Sequence, residues 1–111
     1  MYKSFDGCGI ESVRWDDTMR ILSFIITDRN GMPHPVNIQT RKQRLKEELV
    51  EIAEGRRVRG IFACGMTDID MWVQSNGAVL IEWSPCESQM FAFRVPRESF
   101  AQLVNWAKEE S

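Results

Sequence analysis

The stretch "DMWVQSNGAVLIEW", residues 70–83, sets Asn76-Gly77 between two apolar alternations. This is the strongest short signal for a β-hairpin, because asparagine and glycine adopt the positive φ that a tight turn needs. Read as a two-residue turn, it pairs Val73 with Leu80, Trp72 with Ile81, Met71 with Glu82 and Asp70 with Trp83. One face then carries Met71, Val73 and Leu80. The other carries Trp72, Trp83, Val79 and Ile81 together with Asp70 and Gln74.

Further strands are predicted on both sides of this hairpin. "QMFAFRVP" (89–96) aligns Phe91, Phe93 and Val95 on one side, and "VRGIFACGM" (58–66) reads as a strand weakened by its glycines. Near the start, "IESVRW" (10–15) and "MRILSFIITD" (19–28) flank the acidic turn "DDT" and form a second hairpin. The latter is apolar at odd and even positions, which predicts a central strand covered on both faces. "RNGMPHP" (29–35) ends it, since prolines remove ladder donors, and leaves His34 in an exposed loop.

Two helices complete the plan. Leu45, Leu49, Ile52 and Ala53 recur at helical spacing, with Thr40 and Gln43 as a capping box and Gly55 as the stop. Phe100, Leu103, Val104 and Ala107 make the stripe of a C-terminal helix that starts at Pro96 or Ser99. Trp106 falls off that stripe and is expected on the solvent side, beside Ser99, Gln102 and Glu110. The expected fold is a single α+β domain over residues 1–111. It has a mainly antiparallel sheet of five or six strands and two helices, in the order ββα, three or four strands, α.

Composition bounds the function. With 43% hydrophobic and 27% charged residues, the 111-residue chain has the balance of an ordinary globular protein. No apolar run approaches membrane-spanning length, and the first residues lack a signal-peptide layout, so a cytoplasmic protein is expected. Cys8, Cys64 and Cys86 form no closely spaced pair, which argues against a disulfide framework or a zinc knuckle. No metal or cofactor is expected.

Catalysis has little support. The sole histidine, His34, must serve any nucleophile–histidine arrangement, and no hydrolase, zinc-protease, phosphate-loop or dinucleotide motif occurs. Asp68 and Asp70 share one side of an extended segment, but acids at a strand entrance are common, and the chain is read as non-enzymatic.

A binding role fits better, and two surfaces offer one. The net charge is −2, yet residues 41–59 hold seven basic residues against four acidic. Arg56, Arg57 and Arg59 complement the negative end of the first helix, whereas Arg41, Lys42, Arg44 and Lys46 crowd its positive end, where cations are unfavourable. These seven residues define a nucleic-acid-binding alternative, with Trp72, Trp83 and Phe93 as stacking platforms, although a pI near 5.4 opposes it. The leading expectation rests on apolar surface, because two helices with single apolar stripes are too few to cover both faces of so large a sheet. The remainder is then covered by the other face of a curled sheet, by a small apolar ligand or protein partner or, most simply, by a second copy in a homodimer, with Trp106 and one or both of Trp72 and Trp83 at the contact.

Overall fold

The computed structural model describes residues 2–64, 67–86 and 88–109, with side chains described for 2–60, 69–84 and 88–109. The strands are β1 (Tyr2–Phe5), β2 (Gly9–Asp16), β3 (Ile21–Thr27) and β4 (Pro33–Gln39), then β5 (Arg59–Cys64), β6 (Thr67–Val73), β7 (Val79–Cys86) and β8 (Gln89–Val95). Helix α1 (Lys42–Ala53) lies between β4 and β5, and α2 (Arg97–Glu109) follows β8. The α+β class and the two helices are as expected, but the strands form two sheets. One has the order β1-β8-β7-β6-β5 and the other β2-β3-β4. All pairings are antiparallel except β1 with β8.

This division corrects the expectation of uncovered sheet. The inner faces shelter each other: Leu22, Phe24, Ile26, Val36 and Ile38 of the smaller sheet share one buried cluster with Ile69, Met71, Ile81, Phe93 and Val95 of the larger. A large aliphatic or aromatic side chain so enclosed contributes roughly 1.5–3 kcal/mol by leaving water. The helix pair fills the rest, with Leu45, Leu49 and Ile52 of α1 and Phe100, Leu103 and Val104 of α2 in the same cluster. Strand β3 is central in its sheet. Only Leu22, Phe24 and Ile26 are sealed, while Ile21, Ser23 and Ile25 on its other face are half-buried.

The deciding hairpin forms one residue out of the expected register. Val73 pairs with Val79, Trp72 with Leu80, Met71 with Ile81, Asp70 with Glu82 and Ile69 with Trp83. The cause is a three-residue turn. The Gly77 amide donates to the Gln74 carbonyl, the Gln74 amide donates to the Ala78 carbonyl, and Gly77 takes φ 86°. A type I turn followed by a left-handed glycine has this pattern. One extra loop residue exchanges partners across the hairpin, so Trp72 and Trp83 lie on opposite faces.

The other Asn-Gly builds the same turn. The Gly31 amide donates to the Asp28 carbonyl, the Asp28 amide donates to the Met32 carbonyl, and Gly31 has φ 83°. Asp28 Oδ1 also accepts from the amides of Asn30 and Met32, at 2.9 and 3.1 Å. The chain therefore re-enters the sheet as β4 in place of the expected loop. Pro33 and Pro35 fit because β4 ends its sheet, and alternate residues of an edge strand need no ladder donor.

At α1 the capping box is absent: Arg41 is the N-cap and no side chain caps the helix. Its other end stops at Gly55 as expected. The Gly55 amide bonds the Ile52 carbonyl and the Arg56 amide bonds the Glu51 carbonyl, with Gly55 at φ 76°. This is a Schellman stop, which a left-handed glycine permits. At α2, Pro96 precedes the helix and accepts from the Phe100 amide at 3.0 Å.

Candidate binding surfaces

Each strand of the inner face contributes every second residue, so positions far apart in sequence meet where the sheets close on one another. Phe5 of β1 pairs with Phe93 of β8, and Trp83 of β7 pairs with Phe91 of β8. Across the gap, His34 of β4 shares the inward parity of the sealed Val36 and Ile38. The rings gather closely. Phe5 lies 4.7 Å from His34 and 5.4 Å from Phe93 between centroids, His34 lies 5.1 Å from Phe93, and Trp83 lies 6.0 Å from Phe91. Phe93 is sealed, whereas Phe5, His34, Trp83 and Phe91 are half-buried. They form an aromatic mouth at one end of the space between the sheets.

His34 is fixed there and is not the exposed loop residue expected. Its Nε2 stands 2.9 Å from Asp28 Oδ2, and the Asp28 side chain is 5% exposed. The His34 hydrogen bond holds the Asp28 carboxyl below the usual carboxylate range, helped by the Met32 and Asn30 amides against the opposing effect of burial. One carboxylate thus orders both the β3–β4 turn and a ring of the mouth.

Cys8 is enclosed at the start of β2, 1% exposed, and its Sγ donates to the Phe5 carbonyl at 3.5 Å. Burial, then the charges of Asp28 and Asp6, push the thiol up to about 11. Thiol chemistry needs the thiolate, so this site suppresses nucleophilicity. The side chains of Cys64, Cys86 and Asp68 lie outside the described residues. Asp70 faces Glu82 directly across the hairpin, contrary to the expected register. Asp70 is already engaged by Arg59, whose Nε and Nη2 donate at 3.0 and 2.6 Å. Among the described residues no cluster of three or more histidine, cysteine or acidic side chains is placed to hold a metal ion.

The three tryptophans expected to act together lie apart. Trp83 belongs to the mouth, and its indole nitrogen is buried without a hydrogen-bond partner. Trp72 lies on the outer face of the larger sheet, half-buried, with the Arg59 guanidinium 4.0 Å above its ring. Trp106 is 8% exposed and packs against Trp15 in a tilted arrangement, with ring centroids 5.9 Å apart. It leaves the stripe of α2 because β2 packs on that flank of the helix, a long-range contact that helical periodicity does not show. The mouth is an aromatic cluster only part of which sequence reasoning named. Phe5 and His34 were not assigned to a site, since no local pattern relates β1 and β4 to β7 and β8.

The basic segment also divides. Arg44 pairs with Glu48, Arg56 with Glu54, Arg57 with Glu48 and Glu51, and Arg59 with Asp70. Asp70's hydrogen bonds raise the Arg59 guanidinium further. Lys42 lies 3.9 Å from Asp17 and 5.8 Å from the Trp15 ring centre. Arg41 and Lys46 have no ion pair among the described residues. No helix of the described residues is long and apolar enough to cross a membrane.

Comparison with known proteins gives no match to a family model, to a curated protein or to a solved structure. The geometry alone carries the functional reading.

Proposed function

We propose that the protein is a non-catalytic interaction module that receives an apolar group of its partner in the aromatic mouth, and that a second copy of the chain is that partner. The carrying observation is the set of half-buried rings, Phe5, Trp83 and Phe91, standing over sealed Phe93. Aromatic groups backed by a packed core are the usual centres of protein contacts. Met32, 59% exposed, projects from the turn that Asp28 ties to His34. A flexible thioether packs well against rings. Met32, two residues before His34 in the chain, would be the group that fills the rings of a second copy, the self-complementarity that a two-fold dimer requires.

One observation supports the non-catalytic part: burial holds the Cys8 thiol protonated. A free buried Cys8 fits the reducing cytoplasm. The polyanion alternative has less support, since five of its seven cations, Lys42, Arg44, Arg56, Arg57 and Arg59, pair with the chain's own carboxylates. Sedimentation of the Phe91→Ser and Met32→Ser variants tests the proposal. Both should dissociate at concentrations where the native chain is paired. A dimer indifferent to both changes would place the contact elsewhere.

A further inference from the structure

Two of the four cations that helix stability left unexplained, Lys42 and Lys46, share a groove where α1 meets α2. An open groove of about 790 Å³ runs between the helices, lined by Lys42, Lys46 and Arg56 from one side and Lys108 from the other, with Val50 and Ala107 among its apolar residues. Two acids border it, and each is engaged. Glu47 accepts from Gln43 Nε2 at 3.0 Å, and Glu51 accepts from Arg57 Nε at 3.2 Å.

Lys46 sets this groove apart from a solvated basic face. It is 8% exposed, yet it has no hydrogen bond or ion pair among the described residues. Its Nζ is not sealed but opens into the groove at the end of a covered stem. Its stem is covered while its ammonium lacks a counter-charge, and Lys42, one turn earlier at i−4, adds a like charge that disfavours the empty arrangement. An anion in the groove would relieve both.

We propose that this groove binds a phosphate group carried by a small molecule, with Lys46 as the central ligand and Lys42, Arg56 and Lys108 around it. Arg56 is shared with Glu54 and Lys42 with Asp17, so the charge without a carboxylate of its own among the described residues is that of Lys46, which suits a compact anion centred there. The narrow patch and the chain's overall net charge of −2 favour a compact ligand over a polynucleotide, which needs an extended basic track. This site is separate from the aromatic mouth, so either can fail without the other.

The test is a titration of the intact chain with inorganic phosphate and with pyrophosphate, read by backbone amide shifts. Saturable shifts should concentrate on residues 42–51 and 107–108, with pyrophosphate the tighter ligand. Lys46→Met keeps the buried stem and should weaken binding about tenfold or more, the loss expected for one charge-assisted hydrogen bond. Lys108→Gln, a substitution at an exposed position, should weaken binding while leaving the fold untouched. Equal shifts from sodium chloride at matched ionic strength, or unchanged affinity in Lys46→Met, would overturn the proposal. So would a single-stranded oligonucleotide that binds through the same lysines more tightly than pyrophosphate.

Discussion

At the residue scale, Asp28 links local order to the candidate surface. Its pKa is lowered in the folded chain, chiefly by His34. The ionised carboxylate therefore stabilises the fold at and above the ordinary carboxylate range, and this stability is lost as pH falls from that range through the lower folded-state value. Urea midpoints across that range should drop for the native chain. Asp28→Asn should be weaker at neutral pH and flatter in acid; parallel curves would mean that the pair carries no linkage. Cys8 behaves oppositely. Its raised value favours the folded state at neutral pH, and that contribution disappears as pH rises from 9.0 to about 11. Peptide-mapped alkylation should leave Cys8 unmodified in the folded protein at pH 8, and rapid labelling there would contradict its enclosure. Trp106→Ala should cost about 3–5 kcal/mol in chemical denaturation, as for other large core aromatics. A cost under about 1 kcal/mol would show it to be surface-like. Its burial was not legible in the sequence, because a ring off the helical stripe is left to solvent unless a distant strand, here β2, covers it.

At the element scale, periodicity was legible and loop length was not. The stripes of α1 and α2 and the glycine stop of α1 follow from local spacing, and all are found. Asn76-Gly77 is legible as a hairpin turn and residues 29–35 only as a strand break, but each Asn-Gly closes a loop one residue longer than the shortest choice, and the one between β6 and β7 thereby separates Trp72 from Trp83. Strand β4 was hidden by prolines that an edge strand accepts, and β1 by its brevity and its pairing with β8, some ninety residues away. These two strands supply Phe5 and His34, which is why only part of the mouth could be foreseen. The stop at Gly55 makes a sharp prediction. Nothing lies within 4 Å of an added Cβ, so Gly55→Ala meets only the backbone penalty of a left-handed conformation, about 1–2 kcal/mol. Urea unfolding measures it, and a neutral result would mean that the helix end relaxes to another stop.

At the scale of the whole molecule, the radius of gyration of 12.9 Å is close to the ~13 Å of a compact chain of this size. The sheet area that once seemed to demand a partner is largely covered internally, sheet against sheet and Trp106 against Trp15. What stays open is smaller and more specific. The rings of Phe5, Trp83 and Phe91 are half-buried and packed against the core. Association through this surface should resist salt, as apolar contacts do, while phosphate binding in the helix groove should weaken with it. The central claim is that the mouth is where the protein meets its partner and that a second chain fills it. Light-scattering mass of the native chain over a range of concentrations tests this most directly. The claim predicts a rise from 12.9 kDa towards twice that mass at any salt concentration. A constant mass of one chain at every concentration would contradict it.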